Sequence, residues 1–174
     1  MARLAYRLSL APPLSRLRRV SLTFMDSDVV IEGRAAAVLA ALVVALWVKG
    51  LIVSGVQVGA RVRGRAFART EDAAMMGRTP QAEPALAARA ADAWRNETEN
   101  GPVFLAIAAV AVLTGVSWSP LALAGMAFLL ARFVHAWAQF AALQPLRTIA
   151  WLAGLAATTA LSGATLAAAW TLRP

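Results

Sequence analysis

A dense polar cluster, Arg95-Asn96-Glu97-Thr98-Glu99-Asn100, stands directly before an apolar run that extends from Gly101 to Val116. Five of the six residues in the cluster are charged or carry a side-chain amide. Charged side chains in or beside a membrane helix are costly and usually belong to a functional site. We therefore expect the chemistry of this protein to centre on this cluster.

Chemically active residues form three groups, of which the first two are spaced so that each shares one helical face and the third lies in the first turns of the fourth helix. The groups are Asp92, Asn96 and Glu99, then Arg132, His135 and Gln139, and finally Arg147, Thr148 and Trp151. Ionisable groups in membrane helices face the interior of the helix bundle or a partner subunit. The three faces therefore predict one shared polar pocket.

A pocket built from these faces would be cationic, with several guanidinium groups, an amide and a carboxylate. Arginine binds carboxylates through two parallel hydrogen bonds and stays charged when it is partly desolvated. Glu99 would bind an ammonium group, and spare guanidinium charge would stabilise a thiolate, which is the reactive form of a thiol. Glutathione is a multiply carboxylated zwitterion with a thiol, so it is the expected cofactor.

The chemistry of metals and of protein thiols is not expected here. The sequence contains no cysteine and a single histidine, His135. Disulfides and thiolate metal sites are therefore excluded, and we expect no metal site. Any thiol that reacts must be brought in by a cofactor or substrate.

Hydropathy predicts the elements that position these residues. The 174-residue chain is 60% hydrophobic with a mean hydropathy of +0.63, which indicates a polytopic membrane protein. A span needs roughly 20 mostly apolar residues, and helices are predicted at about 35–59, 84–116, 120–143 and 146–172. Tight turns between the later helices make neighbours antiparallel. The expected fold is an all-α, four-transmembrane-helix up-down bundle within a domain at 35–174.

Three features of the predicted helices bear on the pocket. Gly101-Pro102 is interpreted as a kink inside the second helix rather than as its end. Gly55 and Gly59 form a GxxxG pattern, which lets helices approach closely. Lys49 lies within the first helix, and two interpretations stay open: its ammonium extends toward the membrane interface, or it is the buried partner of Glu99.

Charge predicts the orientation of the chain in the membrane. The first connection is rich in arginine, so the positive-inside rule places it in the cytoplasm, and we expect a bacterial inner membrane.

Residues 1–34 form a basic tail. Five arginines lie between Met1 and Phe24, and without them the formal charge falls from +8 to +3. This stretch is a lipid-binding tail, a targeting presequence or a segment before a true start at Met25, and the positive-inside rule favours the last.

The sequence resembles the membrane-associated proteins in eicosanoid and glutathione metabolism, the MAPEG family, and among them the microsomal prostaglandin E synthases. The resemblance covers roughly 48–151. Its most specific parts are Arg61-x-Arg63-x-Arg65-Ala66-Phe67-Ala68 with Glu71-Asp72-Ala73, Arg95-Asn96-x-x-Glu99, Arg132-x-x-His135 and Pro145-Leu146-Arg147-Thr148. The resemblance implies a homotrimer of four-helix subunits that binds glutathione between neighbouring subunits.

The resemblance also implies roles for individual residues. The positions that match glutathione-contacting residues of the family are Arg61, Arg95, Asn96, Glu99, His135 and Arg147. Arg147 would stabilise the thiolate, and Thr148 stands where the prostaglandin synthases have a serine proposed to assist. Asp72 matches an aspartate proposed to take part in catalysis.

Three positions depart from the family pattern. Gln139 and Trp151 belong to the predicted cofactor site, yet each replaces a family tyrosine, and Asp92 replaces an arginine. These departures remove hydroxyl donors and one cation. They argue against a specific prostaglandin isomerase activity and for a weaker affinity for glutathione.

Three functions are compatible with these patterns. The first is an integral-membrane, glutathione-dependent transferase or peroxidase acting on lipophilic electrophiles or hydroperoxides from the bilayer, with membrane lipid as a further partner and no nucleic acid. The second is a family member that binds glutathione or lipid without turnover. The third is a small multidrug-type transporter. A transporter would require an acid deep in a helix, whereas Glu99 lies at the helix mouth.

Several of these residues also have simpler structural interpretations. Arg95 and Glu99 are spaced to form an ion pair on one helix. His135 by itself is more typical of a hydrogen-bonded packing residue than of a catalytic one. The arginines interpreted only as topology signals are Arg63, Arg65 and Arg69.

Overall fold

Helices make up most of the chain. The computed structural model describes residues 20–24 and 27–171. These residues contain five helices, which are α1 (Gly33–Gly64), α2 (Thr70–Met75), α3 (Ala85–Leu113), α4 (Trp118–Phe140) and α5 (Gln144–Thr171). The all-helical character predicted for 35–174 is confirmed for the described part of that range.

A short antiparallel hairpin precedes the helices. Strand β1 (Val20–Phe24) pairs with β2 (Ser27–Ile31), so that Val20 lies opposite Ile31 and Phe24 opposite Ser27. Hydropathy predicted neither this hairpin nor α2. The hypothesis of a start at Met25 and the interpretations of 1–19 fall outside the described residues.

Three helices in the described part of the chain are long and apolar enough to cross a membrane, namely α1, α4 and α5. The remaining long helix, α3, contains the polar cluster in its first half, which lowers its hydropathy. It continues through Pro102, so Gly101-Pro102 does not end the helix, as predicted. Whether α3 crosses the membrane as a fourth helix therefore depends on whether its polar half is shielded from lipid.

The helix ends differ from the predicted ones by a few residues. The largest difference is at α1, which continues past 59 to Gly64 and carries Arg61 and Arg63 in its last turn. Cations at a helix C-terminus are stabilised by the helix dipole, so Arg61 and Arg63 favour the extension of the helix. Arg65 ends it with a positive φ of 49°.

The helices pack most extensively as two pairs, α1 with α3 and α4 with α5, while α1 and α3 also contact α4. Large apolar side chains fill the centre, where the rings of Phe104 and Phe128 stack with centroids 4.0 Å apart. A smaller cluster of Val53, Ala93 and Ala136 joins α1, α3 and α4 nearer the turn between α4 and α5. This smaller cluster lies beside the polar residues described below.

Glycine permits close approach at positions other than the predicted GxxxG pattern. Apart from its chain neighbours and the nearby backbone of α1, a Cβ atom at Gly55 or Gly59 would meet no atom of the described residues within 4 Å. A Cβ at Gly50 would instead lie 3.1 Å from the Trp94 ring, and one at Gly125 would lie 2.5 Å from Leu42. Within the subunit, Gly50 of α1 therefore lets α1 lie close to α3, and Gly125 of α4 lets α4 lie close to α1.

Candidate functional site

Three charged side chains from three helices meet inside the bundle. Lys49 of α1 is 1% exposed, Glu97 of α3 is 7% exposed and Arg132 of α4 is 2% exposed. Nζ of Lys49 donates to Oε2 of Glu97, and Nη2 of Arg132 lies 3.4 Å from the same oxygen. We refer to Lys49, Glu97 and Arg132 as the buried triad.

The surroundings of the buried triad explain how the sequence positions it. Glu97 follows Ala93 by one turn, and Ala93 packs into the small cluster that joins α1, α3 and α4. Aromatic rings flank both cations, because Lys49 lies 6.0 Å from the ring centroid of Phe133 and Arg132 lies 6.0 Å from that of Phe128. Aromatic faces attract desolvated cations, so these rings offset part of the cost of burial.

The buried triad is not fully satisfied. Two cations share one carboxylate, which leaves a net positive charge inside the bundle. Within the described chain, Oε1 of Glu97 and Nε of Arg132 are buried without a hydrogen-bond partner. Incompletely paired buried charges destabilise a fold, so their presence in a membrane helix bundle indicates a functional region.

The predicted face of α4 is buried along its whole length. Arg132, His135 and Gln139 are 2%, 6% and 6% exposed, so the spacing correctly placed them on an inward face. Nη2 of Arg132 donates to Oδ1 of Asn96, and Nη1 of Arg147 donates to Oε1 of Gln139 at 2.9 Å. These bonds bring together α3, α4 and α5 at the end of the bundle where α4 leads into α5.

On α4, His135 lies between Arg132 and Gln139, the residues that take part in these two hydrogen bonds. It interacts electrostatically with Arg132, Arg147 and Lys49. Three cations therefore act on the imidazole, and together these residues form a region that favours an anionic group.

Other predicted residues of α3 lie on its outer side. Asp92, Arg95 and Glu99 are exposed, and Nη2 of Arg95 lies 3.6 Å from Oδ1 of Asp92. The i, i+4 pair expected between Arg95 and Glu99 is thus replaced by a pair one turn earlier. Within a single subunit, Asn96 alone of the predicted α3 face contacts the interior.

The predicted residues of α1, α2 and the outer side of α5 are also separated from the buried triad. Arg61 is partly exposed, and its Nη2 pairs with Oε1 of Glu83 at 2.6 Å. Asp72 is partly exposed on α2 and makes no hydrogen bond or ion pair with any described residue. Thr148 and Trp151 lie on the exposed side of α5, where Oγ1 of Thr148 donates to the Gln144 carbonyl at 3.3 Å.

The structure corrects the interpretation of Lys49. Its side chain neither extends to the interface nor pairs with Glu99, because Glu97 is the buried carboxylate that accepts its hydrogen bond. Glu97 was not among the predicted site residues. A signal for it exists in the spacing of the buried residues of α3, since Ala93, Glu97 and Gly101 continue the buried stripe that includes Phe104 and Ala108.

These features define a class of protein, a polytopic helical membrane protein with a cationic cluster inside its bundle. The sequence profile of the MAPEG family matches residues 35–167, and the chain belongs to this family of integral membrane proteins, which are generally related to glutathione. No curated protein matches the sequence.

Proposed function

We propose that this protein is a glutathione-dependent membrane enzyme, a transferase or peroxidase that acts on lipophilic electrophiles or hydroperoxides. One observation carries the proposal: the inward polar residues of α3, α4 and α5 converge on a cationic cluster in a member of the MAPEG family. Guanidinium groups in a water-poor bundle bind carboxylates and stabilise a thiolate far better than they would in water.

Arg147 is the proposed catalytic residue. It is partly buried in the first turn of α5, and one of its N–H groups donates to Gln139, so its remaining donors are available to a glutathione sulfur. In the transferase reaction, the thiolate would form a carbon–sulfur bond while the leaving group departs with the bonding electrons. Thr148 would assist by donating from its hydroxyl, and Asp72 is proposed as a further participant.

The assembly is proposed as a homotrimer of four-crossing subunits with glutathione bound between neighbours. The exposed charges of α3 support this arrangement, because Arg95 has 70% of its side chain exposed in the subunit. Charged groups on a membrane helix require a partner subunit or an interior face. In a trimer, a neighbour would cover Arg95 and Glu99, and α3 would become the fourth crossing. The mass of the complex after its release from detergent, measured by native mass spectrometry, tests the trimer.

The membrane placement follows from the same proposal. We place the protein in a bacterial inner membrane with the connection between α1 and α3 in the cytoplasm.

A substrate would arrive from the bilayer, and the surface between α4 and α5 supports this route. It contains a groove of about 480 Å³ that is lined by alanine, leucine and proline alone. Such a groove suits an apolar molecule.

A second candidate function is glutathione binding without turnover. It is favoured by the identity of Gln139, because the side chain that contacts Arg147 carries no hydroxyl donor. The transporter hypothesis gains no support from the acid that does lie deep in a helix. Glu97 is already paired with two cations, Lys49 and Arg132, so it is not available to bind a transported cation.

The experiment uses the full chain purified in detergent. Glutathione binding is measured by calorimetry, thiolate formation by ultraviolet absorbance, and turnover with 1-chloro-2,4-dinitrobenzene. The proposal expects all three signals in the wild type and the loss of thiolate and turnover in Arg147→Ala. Binding without turnover would select the second function. Absence of binding would refute both.

A further inference from the structure

The contacts of Asn96 determine the direction in which its side-chain amide faces. Its Oδ1 accepts a hydrogen bond from Nη2 of Arg132. A guanidinium carries donors only, so the amide oxygen must point toward Arg132 and the amide NH2 must point away from it. Among the described residues, none accepts a hydrogen bond from Nδ2 of Asn96, and the side chain is only partly buried.

Arg132 is held firmly enough to impose this direction. It is 2% exposed, and its guanidinium lies 6.0 Å from the Phe128 ring centroid. Its aliphatic part passes Gly154, where a Cβ atom would lie 3.8 Å from Cδ of Arg132. Packing on both sides therefore leaves the guanidinium little freedom to leave Asn96.

Glu97 keeps Arg132 beside Asn96. Oε2 of Glu97 accepts from Lys49 and lies 3.4 Å from Nη2 of Arg132, the same nitrogen that donates to Asn96. Asn96 and Glu97 are consecutive on α3, so Arg132 bridges two neighbouring side chains. Since the buried triad has one more cation than it has carboxylates, the amide oxygen of Asn96 stabilises charge that Glu97 alone does not balance.

We propose that the buried triad is a positioning device that fixes Asn96 as a hydrogen-bond donor toward a carboxylate or amide carbonyl oxygen of glutathione. The inference rests on the proposed function and identifies the residues that set this part of its specificity. A ligand that presents an N–H group at this point would face the NH2 of Asn96 and leave both donors unpaired, which strongly disfavours binding. Arg132, Glu97 and Lys49 are positioning residues, because they act through Asn96.

Asn96→Asp tests the donor. Aspartate keeps an oxygen for Arg132 but replaces the NH2 group with a second oxygen of similar size and adds a negative charge. We expect an unfolding temperature that does not fall, because the new carboxylate pairs with Arg132, and a Kd for glutathione that rises by about tenfold or more. The same rise is expected for S-methylglutathione, because the lost hydrogen bond does not involve the sulfur.

Arg132→Lys and Arg132→Met test the positioning without adding a negative charge. Lysine also carries donors only, so it keeps the amide oxygen turned inward and should hold the Kd within about threefold of the wild type. Methionine leaves Lys49 and Glu97 as a neutral pair and lets the amide rotate. It should raise the Kd and KM for glutathione by about tenfold while kcat at saturating glutathione is retained.

The outcomes separate this inference from the proposed function. Equal glutathione affinity in the wild type, Asn96→Asp and Arg132→Met would overturn the positioning role and leave the function standing. A lower unfolding temperature in Arg132→Met with an unchanged Kd would also overturn it, because the buried triad would then be structural only. No glutathione binding by the wild type would overturn both.

Discussion

Nη1 of Arg147 donates to Oε1 of Gln139, 2.9 Å away, across the turn that joins α4 to α5. The two residues are eight apart in sequence, and Gln139 is 6% exposed. A neutral acceptor orients the guanidinium without neutralising it. Gln139 therefore holds the proposed catalytic cation in place while leaving its charge available to a ligand.

The first prediction concerns Gln139→Glu. A carboxylate at this position would form an ion pair with Arg147 and cancel much of the positive charge offered to a thiolate. We expect kcat/KM for conjugation to fall by about tenfold or more, equivalent to ~1.4 kcal/mol of transition-state stabilisation. Gln139→Met, which removes the acceptor without adding charge, is the matched control and should lower kcat/KM less than Gln139→Glu does, because the charge of Arg147 is not cancelled. Equal activity in Gln139→Glu and the wild type would contradict the proposed role of Arg147.

The second prediction compares two acids on α3. Glu97→Gln leaves Lys49 and Arg132 buried without a counter-charge, so we expect the free energy of unfolding to fall by ~3–5 kcal/mol. Glu99 is exposed, and Glu99→Gln should change this free energy by less than ~0.5 kcal/mol. Lys49→Met should cost less than Glu97→Gln, because a neutral pair of Glu97 and Arg132 remains.

Denaturant-induced unfolding in detergent micelles measures all three variants of this comparison. Similar losses in Glu97→Gln and Glu99→Gln would show that the buried triad does not contribute to stability. A larger loss in Lys49→Met than in Glu97→Gln would contradict the charge balance inferred for the buried triad.

The third prediction concerns the contact between α1 and α4. A Cβ atom at Gly125 would lie 2.5 Å from Cδ1 and 2.8 Å from Cδ2 of Leu42. Gly125→Ala should therefore destabilise the bundle by ~1–3 kcal/mol through overpacking. Gly163→Ala is the control, because no described atom beyond its chain neighbours and the nearby backbone of α5 lies within 4 Å of that Cβ position. It should be neutral or slightly stabilising in the same helical context.

A double-mutant cycle tests the assignment of this strain to Leu42. Leu42→Ala removes the atoms that the methyl group introduced by Gly125→Ala would meet, so the double variant should lose less stability than the sum of the two single variants. Strict additivity, measured as unfolding free energies in micelles, would mean that Gly125 serves some other contact.

The fourth prediction concerns the availability of Arg61. Its ion pair with Glu83 engages a guanidinium that is proposed to bind glutathione, and both side chains are partly exposed, at 28% and 21%. Such pairs contribute at most ~1 kcal/mol, so Glu83→Gln should lower the Kd for glutathione by no more than about fivefold. Glu71→Gln, an exposed acid in the same connection, should leave the Kd unchanged. Calorimetry distinguishes the two variants, and weaker binding in Glu83→Gln would argue against a glutathione contact at Arg61.

Several features of this protein were predictable because they depend on local properties of the chain. The apolar runs predict α1, α4 and α5 directly, since hydropathy and length decide whether a helix can cross a membrane. The spacing of Arg132, His135 and Gln139 predicts their shared face, because 3.6 residues per turn holds for any helix. The hairpin at 20–31 and the short helix α2 were not predictable in this way, as neither has a strong periodic pattern.

The sequence by itself therefore determined the membrane class, the family and the inward face of α4. Only the tertiary structure decided that Glu97, rather than Glu99, is the buried carboxylate. The two residues are about 200° apart around one helix axis. Which of the two side chains faces the interior depends on how α3 is rotated about its axis against α1 and α4. That rotation is set by contacts between residues that are distant in sequence, such as the contact of Gly50 with Trp94.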